Sequence, residues 1–401
     1  MASSVQAPPR PRVIQTVAGA FHHFDLAREL AARGNLERIF STFPWARLKR
    51  EGVPREFVST FPFLHPSLML LGRWGIEFPQ PIRWSLDYAN ALSFDRWVSW
   101  NIPDCDVLVA LSGGGLRSGL TVQNRGAKYV CDRGSSHIRF QSQILTEEYR
   151  RWGLDIRPCD PRVIRREEDE YAQADAITVP SEFARRSFLE LGVPQEKVYK
   201  VPYGVRLENF TAVSQPPTDS FEVLFVGSVG FRKGIPYLLD AFKGFAHPHK
   251  RLRIVGAVQK EIHLYLSKGL HQDVEFLGVV PQRELKKIMS SSHVMVLPSI
   301  EEGLALVQAQ ALACGCPLIS STNTGGSDLF THGVEGFEVP IRSVQAITER
   351  LQQLADDPVL QQRMRQAAIE RVRSLGGWQT YGDQYLSVLN QVVLNLPTAK
   401  A

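Results

Sequence analysis

The residues best suited to chemistry stand just beyond two apolar runs. Val294 to Leu297 is followed by Pro298-Ser299, the acidic pair Glu301-Glu302 and Gly303, while Phe221 to Val226 is followed by Gly227 and the basic pair Arg232-Lys233. Each run leads into helical period: 304–313, closed by Gly315, and a segment with Pro236 in its first turn. Free N–H groups at a helix start, reinforced by two cations, favour an anion such as a phosphate. A carboxylate beside them accepts hydrogen bonds from hydroxyl groups. Phosphate next to polyol describes a nucleotide sugar. Read singly, Glu302 is equally a solvated loop acid, Gln310 a helix-surface residue and Arg232-Lys233 a surface basic pair.

Such groups need strands whose carboxyl ends open on a crevice. In the second half of the chain, strands are expected at 221–226, 252–255, 274–277, 294–297 and 337–340, with a helix at 283–290 and helical period over 343–396. In the first half, 13–17, 106–111, 128–132 and 198–201 read as strands and 24–32 as a helix. Ser181 caps a helix ended by Gly192, and Ser135 or Ser136 caps another that carries His137 in its first turn. The loop AGAFHH after the first strand has one glycine, Gly19, where a dinucleotide fingerprint requires three. A dehydrogenase is thereby disfavoured. His22 and His23 either approach a ligand or cap and pack the helix start. SGGGLRSG permits close backbone approach or simply turns the chain, and the charges from Arg165 to Glu170 read as a solvated helix face.

Periodicity is poor over 41–100. There STFPWARLKREGVPREF mixes aromatic and basic residues, which suits anionic lipid headgroups, an acceptor, or a helix covering the sheet. At 401 residues two domains are expected, and 44% hydrophobic with 22% charged residues is ordinary for a globular protein. A net charge of +5 suits anionic ligands or membrane surfaces and is too diffuse for nucleic acid. Five scattered cysteines suggest reduced thiols and a cytoplasmic setting; Cys314 and Cys316 form a lone CxC without a second pair at zinc spacing. The start MASSVQAPPRPR lacks an apolar signal core, and no apolar run approaches the roughly 20 residues of a membrane span.

The stretch PSIEEGLALVQAQALACGCPLI resembles the signature of the retaining glycosyltransferases of family 4, which have the GT-B fold. The resemblance implies an α/β chain with two Rossmann-like, doubly wound domains facing each other across a cleft. It divides the chain into a disordered tail 1–12, an acceptor-side domain 13–210, a linker 211–220, a nucleotide-sugar domain 221–376, and a helix 377–401 that packs back on the first domain. Glu302 matches the first family glutamate and Gln310 the second, a departure that removes a charge at the ribose position. Lys233 matches the family's phosphate lysine. The family arginine is Ser228 here, so Arg232 would supply that charge from a shifted place.

By the same resemblance the donor would be bound by Gly19, Gly227, Arg232, Lys233, Val280, Glu302, Gly303, Leu304, Ala305, Leu306 and Gln310. His137 would be catalytic with Glu302, Lys233 and Arg232, while His22, His23 and Asp132 lie on the acceptor side. RGSSH resembles a subgroup of the family. The implied activity is metal-independent transfer of a hexosyl group from a nucleoside-diphosphate sugar, UDP-linked, to a saccharide or lipid-linked acceptor, with no cofactor and a peripheral membrane contact as an option. Gln310 and Ser228 keep a non-catalytic nucleotide-sugar-binding subunit open, and a GT-B epimerase is the other rival.

Overall fold

A computed structural model describes residues 10–76, 78–269 and 272–394. Most of the expected tail, and the last seven residues of the chain, lie outside them. Among the described residues thirteen strands build two sheets. The first contains β1 (Val13–Val17), β2 (Leu36–Ser41), β3 (Val58–Thr60), β4 (Val107–Leu111), β5 (Lys128–Asp132), β6 (Ala176–Val179) and β7 (Val198–Lys200). The second contains β8 (Phe221–Val226), β9 (Lys250–Val255), β10 (Val274–Gly278), β11 (Val294–Leu297), β12 (Leu318–Ser321) and β13 (Gly336–Val339). Their orders are β3-β2-β1-β4-β5-β6-β7 and β10-β9-β8-β11-β12-β13, with parallel pairing throughout.

Parallel strands connected by helices have both faces covered, so they are buried almost end to end: VLVAL and VMVL are wholly apolar, and VIQTV is fully buried although Gln15 and Thr16 are polar. Each order reverses direction once, between β1 and β4 and between β8 and β11. Loops beyond the strand ends part at these reversals and leave a crevice. The crevice beyond β8 and β11 carries the basic and acidic pairs.

The helix Ile138–Arg151 joins the domains, because Leu145 is buried in the core of the second domain and Trp152, just past its end, stacks on Phe231 with ring centroids 5.6 Å apart. Buried Glu148 accepts hydrogen bonds from Tyr237 Oη at 2.8 Å and Arg342 Nε at 2.7 Å. The chain crosses between domains after Val201, which belongs to the first core, and before Val205, which packs with Leu304 and Leu329. The stretch 211–220 runs along the second domain, where Arg365 donates to the Ser214 carbonyl at 2.7 Å. The final helix, Trp378–Val393, returns to the first domain, burying Tyr381, Tyr385 and Leu389 there and meeting Thr178 through the Tyr385 hydroxyl at 2.9 Å.

Two expectations are corrected, the start of the helix after Glu302 and the solvated charges, and the regions the sequence left open are filled in. The aperiodic region holds a 22-residue helix, Gln80–Asn101, whose pattern is blurred because it buries only a few residues. The helix after Glu302 begins at Val307, since Leu304 and Ala305 first drop into the core and Ala305 N donates to Thr324 O at 3.2 Å. Arg166, Glu167 and Glu170 are buried, not solvated: Arg166 pairs with Asp95, Glu167 with Arg133, and Glu170 accepts from the backbone of Gly113, Gly115 and Leu116. The glycines of SGGGLRSG thus serve the protein's own packing, with Gly115 and Gly119 close against Tyr129. In the aromatic-basic stretch Phe43 and Leu48 are buried, leaving its cations at the surface.

Candidate active site in the interdomain cleft

The loop after β8 turns sharply at Gly234, with φ of +69° and its α-carbon so close to Pro298 that a Cβ would fall 2.0 Å from the Pro298 carbonyl oxygen. Only glycine fits there. The turn brings Arg232 and Lys233 over the acidic loop beyond β11. Lys233 Nζ pairs with Glu302 Oε1, and Lys233 also lies beside Gly227. Arg232 donates through Nε to the Glu301 carbonyl at 3.0 Å and reaches Glu301 Oε2 at 2.9 Å.

Glu301, absent from the sequence-derived site, is fully buried and spans the domains. Its Oε1 accepts from Ser135 Oγ at 2.6 Å, Ser136 Oγ at 2.7 Å and Ser136 N at 3.3 Å, and its Oε2 accepts from Gln141 Nε2 at 2.8 Å. Burial alone would raise its pKa; Arg232 and the three side-chain donors outweigh burial and hold it at about 2. The EE doublet was the available signal, and nothing in its spacing tells which acid faces the other domain. The two serines expected to cap a helix are spent on this carboxylate. His137 caps instead, its Nδ1 accepting from Arg139 N at 3.1 Å.

That geometry sets His137 apart from the other residues expected at the site. Its ring is buried edge-on against Tyr171 and Phe188, with centroids 4.9 Å from each, and burial lowers its pKa to about 4. The imidazole caps its helix and packs inside the first domain. A separate ionisable cluster stands in the cleft: His22 Nε2 lies 2.5 Å and His23 Nε2 3.4 Å from Asp132 Oδ2. Thr178 Oγ1 donates to the second carboxylate oxygen at 2.6 Å. Burial works against the Asp132 carboxylate, but His22, His23 and Thr178 outweigh it and keep its pKa below the usual range. His23 is wholly enclosed, and burial with His22 nearby drives it to about 3, so it is neutral. These three residues are the group of donors, within 4.8 Å of one another, that could hold a metal ion among the described residues. The His22–Asp132 contact at 2.5 Å is equally a direct hydrogen bond between the two side chains.

Gly134 links the two clusters. His22 lies beside it, and its carbonyl oxygen is against Gly303, whose own carbonyl accepts from Ser181 Oγ at 2.5 Å. The loop beyond β11 is held from behind by 322–325: Glu302 N donates to Asn323 O at 2.9 Å, and Asn323 Nδ2 donates to Ile300 O at 3.0 Å. Gly19 is fixed by Thr42 Oγ1 on its N–H at 2.9 Å and Ser41 Oγ on its carbonyl at 2.6 Å. The structure thus gathers Gly19, His22, His23, Asp132, Gly227, Arg232, Lys233 and Glu302 to 304 around one cleft. Leu306 and Gln310 sit half-buried at the start of the helix Val307–Ala313, and Val280 follows β10, three strands from β11. Buried Gln308, which donates to Thr324 O at 3.1 Å and braces the site, was missed because a glutamine between apolar residues reads as surface.

Comparisons with known proteins converge. The family model described as Glycosyltransferase Family 4 matches residues 19–209, and that described as Glycosyl transferases group 1 matches 208–371. A glycogen synthase of Mycobacterium tuberculosis is 29% identical over 174 residues, 42% of each chain. The phosphatidyl-myo-inositol mannosyltransferase of Mycobacterium leprae is 30% identical over 220 residues, 53% of this chain and 58% of that one. The chain therefore spans about half the length of these curated relatives. Sucrose-phosphate synthase from Thermosynechococcus elongatus superposes with a TM-score of 0.71 at 20% identity, over 96% of this chain and 99% of that one. Anabaena HepE in complex with UDP and glucose does so with a TM-score of 0.66 at 16% identity, over 94% and 99%. With two adjoining family models running from 19 to 371 and two facing parallel sheets shared with these structures, the chain belongs to the family 4 glycosyltransferases of GT-B fold.

Proposed function

We propose that the cleft transfers a glycosyl group, with retention, from a nucleoside-diphosphate sugar to a hydroxyl of a saccharide or lipid-linked saccharide. The observation that carries this is the pairing of Lys233 with Glu302 beside Arg232, at the reversal of the second sheet and opposite the His22–Asp132 pair. A donor would separate the pair, the ammonium turning to the diphosphate and the carboxylate to sugar hydroxyls. Val280 follows a strand three positions from β11, about 14 Å at ~4.8 Å per strand, and that span suits a base at one end and a sugar at the other. HepE, of like fold, is described with UDP and glucose, which supports a UDP-sugar.

In the proposed reaction the acceptor oxygen bonds to the anomeric carbon on the face from which the diphosphate leaves. The sugar–phosphate bond breaks with its electron pair on the phosphate oxygen, and the acceptor proton ends on the departing phosphate. Arg232 and Lys233 stabilise the charge that develops there, acting in a site already arranged for it, so no metal ion is required. His22, held by Asp132, orients the acceptor hydroxyl, and Gln310 serves the ribose without charge. Acceptor-dependent release of nucleoside diphosphate from a panel of UDP- and GDP-sugars tests the reading. Binding of donor with no transfer to any saccharide or lipid-linked acceptor would refute it and favour a binding subunit.

A further inference from the structure

Seven of the 19 large apolar side chains exposed among the described residues fall in positions 63–82: Phe63, Leu64, Met69, Leu70, Trp74, Ile76 and Ile82. At their centre the helix Leu64–Arg73, LHPSLMLLGR, buries none of its described side chains fully. A helix this apolar ordinarily lies in a core or a membrane. Here it is pinned from beneath, by Thr42 Oγ1 at 2.6 Å from His65 Nδ1 and by Phe43 stacked on the His65 ring at 4.9 Å. Its outer face remains bare. It also borders the cleft: Thr42 holds Gly19, and Met69, Ile76 and Arg83 line a cavity of about 580 Å³ with Gln259 and Lys260 of the second domain.

The sequence around this face is rich in cations. Residues 43–76 include five cations, Arg47, Lys49, Arg50, Arg55 and Arg73, against two acids, Glu51 and Glu56, and the helix itself has no acid. Arg47 flanks Met69 at 3.6 Å on one side, and on the other stands exposed Arg83, 3.8 Å from the likewise exposed Asp87. We propose that this face docks on an anionic lipid bilayer, its apolar side chains entering the headgroup–acyl boundary while the rim cations meet lipid phosphates. A second copy is the poorer occupant, because a twofold contact would set these cations against their own copies. Docking stands independently of the transfer reading. If transfer holds as well, the membrane would deliver lipid-linked acceptors to the cleft edge.

The test is sedimentation of the full chain with phosphatidylcholine vesicles, with or without phosphatidylglycerol, in parallel with Leu70→Glu/Trp74→Glu and Lys49→Glu/Arg50→Glu. All four side chains are exposed, so unchanged melting is expected in both variants. The wild type should bind, more strongly as phosphatidylglycerol rises. The first variant should lose at least about tenfold in partitioning, and the second should lose the dependence on anionic lipid. No sedimentation of the wild type, or equal sedimentation of the Leu70/Trp74 variant, overturns the proposal. So does a lipid-free dimer that the same variant dissociates, since the face would then join two copies. Nucleotide-induced thermal shift, read on the same samples, reports on the donor site separately.

Discussion

A Cβ on Gly303 would lie 2.0 Å from the carbonyl oxygen of Gly134, so the loop that carries Glu302 meets the first domain backbone against backbone. That approach has room only for hydrogen. Gly303→Ala should keep the domains apart while each remains folded. We expect kcat/KM to fall at least about tenfold, as a misplacement of roughly 1 Å at a reacting centre does, with melting nearly unchanged. An unaltered rate would show that the contact is no part of the working state.

Glu301 ties both domains through five donors, so Glu301→Gln, which presents an N–H where serines donate, should loosen them. A loss of about 1–3 kcal/mol is expected from the unmatched buried groups. The sign of the pH dependence follows from the folded pKa of about 2, below the ordinary 4.5. Stability from this group is fully present above pH 4.5 and is lost as pH falls from there through about 2. Acid titration followed by small-angle scattering should show domain separation in that window for the wild type and at higher pH for the variant. Coincident curves would rule the carboxylate out as the tie.

Burial, with Arg232 beside it, lowers Lys233 to about 8. A diphosphate requires the ammonium form, so kcat/KM for the donor should decline as pH rises through about 8. Lys233→Arg remains charged there and should flatten the decline, while Lys233→Ala should weaken donor binding by about 1.5–3 kcal/mol, the range for hydrogen bonds to a charged group. A flat wild-type profile would remove Lys233 from the phosphate site.

The two histidine positions should part company. His137→Ala removes a helix cap and an aromatic contact, costing stability of about 1 kcal/mol or more with kcat preserved in the folded fraction. His22→Ala should lower kcat roughly 100-fold if it handles the acceptor hydroxyl, and should also cost stability because it leaves the buried Asp132 carboxylate without its nearest partner. Calorimetry and steady-state rates on the two variants decide it, and the opposite pattern of rates would favour the sequence-based assignment. Prolonged EDTA treatment should leave the wild-type rate intact; loss restored by a divalent ion would instead make His22, His23 and Asp132 ligands.

Local spacing in the chain determined the architecture and half the site. Apolar runs of four to six residues alternating with helical period leave few choices besides parallel sheets, and charges placed just past β8 and β11 must stand where those strands end. Pro236 shows the same legibility, because a first helical turn restricts residue type locally. Tertiary structure decided what each side chain meets. Glu301 and Glu302 are neighbours with different partners, one locked to serines some 165 residues away and the other paired with Lys233 of its own domain. His22 finds Asp132 across 110 residues, while His137, which shares a strand-end loop with Asp132, turns inward. The bare helix at Leu64–Arg73 has a core helix's composition and no core to enter. Periodicity specifies which face of an element is apolar, but which partner that face or a polar tip finds depends on contacts between segments far apart in the chain, and only the folded molecule brings those together.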